Sequence, residues 1–388
     1  MPSEIKNIKK AASRILKAIA SEEKIIIYGD ADLDGVTSVI ILEETIKNLN
    51  GKVTAIYFPD REKEGYGITK DGLNYLKKYS PALFIALDCG IGNFEEVKIA
   101  KEFGFEVIII DHHVVLDKLP EASIIVDPKQ KGEKYSFKDF ANVGLAFKLS
   151  EVLLKKKLTE NLRNNFLELV ALATIADMMP RIDENEAMIV EGLASLESSW
   201  RPGIKALMGL KQFSSLNLME QIYKINSILN IRDVKNQMPA AYRLLTASVE
   251  SEAERLAKKL YKKGIEKKRR IGDIIEEVEE RIFSKSSDSI IFEGDSNWEL
   301  ILLGVVASVL TKRYNKPVFL YKEQEAASQA SIRAPSGFNV VEAMKKYPKE
   351  LITYGGHAQA AGFKIKNENL EDFKEYLMRY FPKNRSGS

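Results

Sequence analysis

Thiol chemistry is nearly missing from this chain, which has one cysteine, Cys89. A single thiol excludes an intramolecular disulfide and is compatible with a cytoplasmic setting. Histidine is almost as scarce. There are three, His112, His113 and His357, and two of them are adjacent. Long apolar runs are absent as well: ILLGVVASVL (301–310) falls far short of the ~18 residues a membrane-spanning helix needs, so no membrane contact is expected. Charge of one sign does not dominate, and a formal net charge of +3 neither demands nor opposes a polyanionic partner. The opening MPSEIKNIKKAASRILKAIA carries Glu4 and spaces Ile5, Ile8, Ala12, Ile15 and Ile19 as a helix does. That predicts an amphipathic helix rather than a signal peptide.

What is present is an ordinary globular composition, 45% hydrophobic and 29% charged over 388 residues, a length that favours two domains. KIIIYGD, KVTAIYF, LFIALD, FEVIIID and SIIVDP are short apolar runs separated by helical patterns, as in parallel strands buried on both faces. The expectation is an α/β protein whose N-terminal domain, residues 1–235, is a doubly wound parallel sheet. Residues 236–285 form a linker region containing one long charged helix over 246–283. A smaller C-terminal α/β domain, 286–388, carries strands near SIIFEG, PVFLYK, QASIRA and AAGFKIK.

Four of the first five runs end in aspartate: Asp30, Asp88, Asp111 and Asp127. In an open parallel sheet those ends share one edge, where ligands bind. Asp32 and Asp34 add two carboxylates in the first turn. Aspartates also cap helices and form turns, which could account for one or two, Asp34 among them. The set is better explained by a cation holding the like charges together. His112 and His113 stand at the same edge beside Asp111. Mixed imidazole and carboxylate ligands favour Mn²⁺ or another first-row metal over Mg²⁺, which prefers oxygen and water. With this many carboxylates a pair of ions is expected, the arrangement that hydrolyses phosphate esters.

The ordered set YGDADLDGVTS, PDREKEGYGI, ALDCGIGN, IIIDHH, VGLAFKL, LATIADMMP and RPGIKAL resembles the DHH phosphoesterase superfamily, and within it the RecJ-type single-strand nucleases. IRAPSGFNVVEAM and YGGHAQAAGF resemble the associated C-terminal domain. The resemblance implies that Asp30, Asp32, Asp34, Asp88, His112 and Asp177 hold two Mn²⁺ ions, with Mg²⁺ as the alternative. It puts His113 near the scissile phosphate, and Asp111 then orients a histidine. Cys89 is read as a packed residue rather than a nucleophile. Ser331, Arg333, Gly355, Gly356 and His357 would hold a substrate phosphate, and Arg243 falls where the family has an arginine for the terminal phosphate. Glycines let backbone amides approach such a group, though a Gly-rich turn is the plain alternative for GGH.

Eight basic residues between Lys258 and Arg270 suit either a groove tracking a nucleic-acid backbone or a solvated helix face. The chain departs from the family at Glu299, Leu300 and Ile301, where a histidine and glycines are common, and at Val309, where a basic residue is. It ends soon after AAGFKIK, which implies no further oligonucleotide-binding domain and weighs against tight binding of long DNA. The implied function is a metal-dependent exonuclease on single-stranded DNA or RNA, with replication or repair proteins as candidate partners. The alternatives are a phosphodiesterase of very short oligonucleotides or signalling dinucleotides, and a catalytically silent replication scaffold. The retained acidic positions and histidines argue against the scaffold.

Overall fold

The computed structural model describes residues 4–61, 63–115, 118–283, 288–347, 349 and 351–381. The chain divides into two compact units, Met1–Gly264 and Ile265–Ser388.

The first unit is built on β1 (Ile25–Gly29), β2 (Val53–Tyr57), β3 (Ala82–Leu87), β4 (Phe105–Ile110) and β5 (Ile124–Val126). Every pairing is parallel, in the order β2-β1-β3-β4-β5. Alternate residues of the strands feed separate cores. Ile25, Ile27, Leu83, Ile85, Ile108 and Ile110 join one cluster, and Ile26, Tyr28, Phe84, Ala86, Val107 and Ile109 join the other. Burial on both faces is why these strands read as unbroken apolar runs. The order reverses at β1, because β2 leaves on one side and β3 on the other. The crevice beyond the carboxyl ends of β1 and β3 is therefore the switch point at which such sheets bind ligands.

Local chemistry shapes that crevice. Helix Leu33–Asn48 starts directly after β1, with the Asp32 side chain accepting the Gly35 amide at its N-terminus. Gly35 is needed there, since a Cβ would come within 2.4 Å of the Asp30 carbonyl. Helix Asn142–Leu154 packs on Leu33–Asn48 and brings its own N-terminus to the same edge. Helix Glu160–Ala176 ends at Asp177, its C-cap.

Helix Glu250–Phe283 begins four residues later than the sequence pattern predicts. Ala253, Ala257 and Leu260 belong to the core of the first unit, while Ile274 and Val278 pack in a cluster of the second. The second unit holds β6 (Ile291–Asp295), β7 (Val318–Lys322), β8 (Ala327–Arg333), β9 (Thr353–His357) and β10 (Ala360–Lys366). Their order is β6-β7-β8-β10-β9, with only β6 and β7 parallel. β9 is the strand that no apolar run announces, since all five of its residues are exposed at the sheet edge. The GGH stretch is thus an edge strand and not a Gly-rich turn. Among the described residues no helix is long and apolar enough to cross a membrane.

Candidate metal centre

Asp30, Asp34, Asp88 and His112 are all buried at the carboxyl edge of the sheet. Asp34 accepts the backbone amides of Asn142 and Val143, each at 2.7 Å, so a helix N-terminus steadies its charge. Asp88 leaves β3 in the left-handed region, φ +61°. Its Oδ1 is shielded from solvent and has no hydrogen-bond donor among the described residues. The ring of His112 is fixed by Nδ1–H donating to the Phe140 carbonyl at 2.8 Å. That tautomer leaves the Nε2 lone pair facing Asp88 Oδ1 at 3.3 Å, and Asp34 Oδ2 and Asp177 Oδ2 at 3.8 Å each.

Among the described residues three ligand groups emerge, each with atoms within 4.8 Å of one another: Asp34, His112 and Asp177; Asp88, His112 and His113; and Asp30, Asp32 and Asp88. Asp88 links the imidazole side to the Asp30 and Asp32 side. His113 differs from His112 because its Nδ1 is already bonded to Asp111 Oδ1 at 2.8 Å. Asp111 also accepts the amides of Ile91, His112 and His113, so it orients the histidine turn from behind. Asp127 is different again. It is fully buried, accepts the Lys129 amide at 2.6 Å, and belongs to none of the three groups. It is a turn-former, and the convergence of four strand-end aspartates reduces to Asp30 and Asp88 with Asp111 behind.

The electrostatics ask for a cation. Burial first, then the neighbouring carboxylates, hold Asp34 and Asp88 well above the usual carboxylate range. Burial and Asp32 push Asp177 up to about 6. Burial, reinforced by His113, takes His112 down to about 4, which leaves it neutral and able to donate a lone pair. Burial alone would raise Asp111, but its bonds to His113 bring it below its ordinary value. The same bond raises His113. An orphaned carboxylate oxygen, a neutral imidazole aimed at it and mutually repelling buried acids fit a divalent cation. Cys89 is buried with its thiol pushed well up, consistent with a packed, inert residue.

Residues the sequence reading missed lie around this cluster. Arg61 donates from Nε to Asp30 Oδ1 at 2.9 Å, and from Nη2 to Asp32 Oδ2 at 2.9 Å and to Asp30 Oδ2. Tyr66 and Asn142 also touch it, and Lys129 Nζ donates to the His112 carbonyl at 2.5 Å. Arg61 and Tyr66 lie within the motif PDREKEGYGI. Their signal was a charged loop following a strand at the switch point.

In the second unit the β8-β10-β9 register lines up Arg333, Ala360 and His357 in one row and Ser331, Gly362 and Gly355 in the next. Cross-strand partners share a face, so Ser331, Arg333, Gly355 and His357 form one shelf floored by small residues. Gly304, in helix Leu300–Tyr314, borders it: a Cβ there would sit 3.1 Å from Ser331 Oγ and 3.3 Å from Arg333 Nη2. Gly356 has φ +128°, and a Cβ would fall 2.5 Å from the Ala360 carbonyl, so its glycine serves the strand itself. Arg243 is otherwise engaged in the first unit, where it donates to Asp233 and to the Met238 carbonyl. Much of the basic run is also structural. Lys259 and Lys263 bind Asp233, Lys258 binds Glu254, and Arg270 binds Glu277 and Glu299.

The fold and site define an α/β protein with a carboxylate–imidazole centre at its switch point, followed by a mixed-sheet unit. The model of the DHH family, N-terminal domain, matches residues 24–174, and that of the DHHA1 domain matches 287–383. The single-stranded-DNA-specific exonuclease RecJ of Bacillus subtilis is 36% identical over 97% of this chain, which spans 48% of that relative's length. The SPbeta prophage-derived YorK of the same organism is 30% identical, with 95% of this chain and 67% of that protein covered. A crystal structure of exonuclease RecJ bound to manganese aligns with a TM-score of 0.84 at 27% identity, over 97% of this chain and 94% of that one. The chain belongs to the DHH family, among its RecJ-like members.

Proposed function

We propose that this protein is a metal-dependent exonuclease that hydrolyses single-stranded DNA from an end. The observation that carries the reading is Asp88, whose Oδ1 has no hydrogen-bond partner among the described residues and faces His112 Nε2 at 3.3 Å, while the same residue also belongs to a donor group with Asp30 and Asp32. A carboxylate common to two donor groups would suit a pair of divalent cations. Asp34, Asp177, His112 and Asp88 would hold one ion, and Asp30, Asp32 and Asp88 the other. Mn²⁺ suits the mixed donor set, and the manganese-bound RecJ structure supports it. When bound, such ions polarise a phosphate and lower the pKa of a water nucleophile.

The chain's own residues do the rest. Asp111 holds His113 by Nδ1 and turns Nε2 toward the Tyr66 hydroxyl, where it would hold a proton beside the scissile phosphate. Ser331, Arg333, Gly355 and His357 would grip a substrate phosphate, the arginine by its planar fork. The substrate class follows the names of the RecJ relatives, and the lone thiol suits a cytoplasmic setting.

The deciding assay gives purified protein Mn²⁺ and end-labelled strands of DNA and RNA, a blunt duplex of the same sequence, and dinucleotides. Progressive shortening of single-stranded DNA from one end, with the duplex largely spared, is the expected result. Turnover confined to dinucleotides would overturn the nuclease reading in favour of a small-substrate phosphodiesterase.

A further inference from the structure

Tyr66 is 56% exposed, yet the loop that carries it is tied down at many points. Glu64 accepts the Asp60 amide at 2.8 Å, the Tyr57 hydroxyl at 2.9 Å and the Thr69 hydroxyl at 2.7 Å. Asn93, arriving from the turn after β3, accepts the Ile68 amide at 3.1 Å and donates to the Ile68 carbonyl at 3.2 Å. Beneath the loop, buried Tyr28 donates to the Gly67 carbonyl at 3.0 Å and accepts the Thr69 amide at 3.1 Å. Gly67 has φ +81°, and a Cβ would lie 2.5 Å from Asn93 Oδ1, so the clamp closes only over a glycine. Such investment in backbone order fixes the neighbouring phenol.

That phenol touches two groups of the candidate centre. Its hydroxyl lies 3.3 Å from His113 Nε2, the nitrogen left over once Nδ1 is bonded to Asp111. The rings meet edge to face, with centroids 6.1 Å apart. On its other side, the Arg61 guanidinium lies 4.7 Å from the ring centroid, in cation–π range. Tyr66 therefore joins the most exposed imidazole of the cluster to the arginine that spans Asp30 and Asp32.

We propose that Tyr66 is a positioning residue for phosphodiester hydrolysis, holding His113 Nε2 with its hydroxyl and Arg61 with its ring face. A phenol both donates and accepts, so it can keep the imidazole in one orientation whichever form Nε2 takes. A tyrosine serving only as a stacking surface for a nucleobase would not need its hydroxyl. This inference rests on the nuclease reading for its reaction, but not for its geometry.

The test uses Tyr66→Phe and Tyr66→Ala in the full chain. Only three histidines exist, so their ring resonances can be followed by NMR in the Mg²⁺-loaded, diamagnetic protein. Tyr66→Phe should shift the His113 ring signals and leave those of His357 in place. With labelled single-stranded DNA it should lower kcat about 3- to 10-fold, the worth of one neutral hydrogen bond, with KM unchanged. Tyr66→Ala should lower kcat further. Unmoved His113 signals in Tyr66→Phe, or a normal kcat beside a raised KM in Tyr66→Ala, would overturn the proposal. Should the wild type cleave no phosphodiester, the nuclease reading fails and the His113 signals alone decide the role of Tyr66.

Discussion

Asp88 occupies a left-handed backbone position that asparagine tolerates better than most side chains, so Asp88→Asn removes the charge with little backbone cost. Burial and the acids around it already disfavour the charged form. Neutralising it should raise the melting temperature in chelator while abolishing the rise that Mn²⁺ gives the wild type. Its kcat/KM should fall at least ~100-fold. Calorimetric melts with and without metal check the first point, and an unaltered Mn²⁺ response would contradict it. Arg333→Ala should act on the substrate side. Loss of a charge-assisted phosphate contact, about 1.5–3 kcal/mol, corresponds to roughly 10- to 150-fold in kcat/KM, with Mn²⁺ binding unchanged. If the variant loses metal instead, the assignment of roles to the two units is wrong. At this scale the sequence was informative about which side chains gather at the sheet edge, as with the adjacent histidines and the strand-end acids Asp30 and Asp88. It was silent on Arg61, because a surface arginine is common and only the fold brings it to Asp30. Asp127 misled because a turn-forming aspartate and a ligand look alike after a strand.

β9 shows why an element can escape the sequence pattern. Strand signals are signatures of burial, and Thr353–His357 is exposed at every position, so it has no apolar period to read. Its glycines are not equivalent. Gly355 faces open space, whereas Gly356 combines positive φ with a Cβ clash. Gly356→Ala should cost about 1–3 kcal/mol locally and speed amide exchange across β9 and its partner β10. Gly355→Ala should leave exchange and melting nearly as in the wild type. Equal effects from the two would contradict the edge-strand account. The parallel strands were legible for the opposite reason, since two-sided burial writes unbroken apolar runs. The basic run on Glu250–Phe283 was legible as charge but not as partnership. Lys259 and Lys263 are committed to Asp233, while Lys267 and Lys268 have no ion pair among the described residues. Charge reversal at Lys263 should therefore lower stability. Reversal at Lys267 and Lys268 should instead weaken long-strand binding and flatten its salt dependence.

For the whole molecule, metal binding and protonation are linked. Asp34 and Asp88 lie above the ordinary carboxylate range and Asp177 at about 6, so protons compete with a cation for the same oxygens. His112, taken down to about 4, is already neutral over the working range and releases no proton. Mn²⁺ affinity should therefore rise with pH up to and through about 6, with protons released on binding. The most direct test of the account is the stoichiometry of Mn²⁺ binding, measured by titration calorimetry above that pH on the wild type and on Asp88→Asn. The account predicts two ions on the wild type and the loss of at least one in the variant. A wild type that binds no Mn²⁺, or a variant that binds it like the wild type, would contradict it.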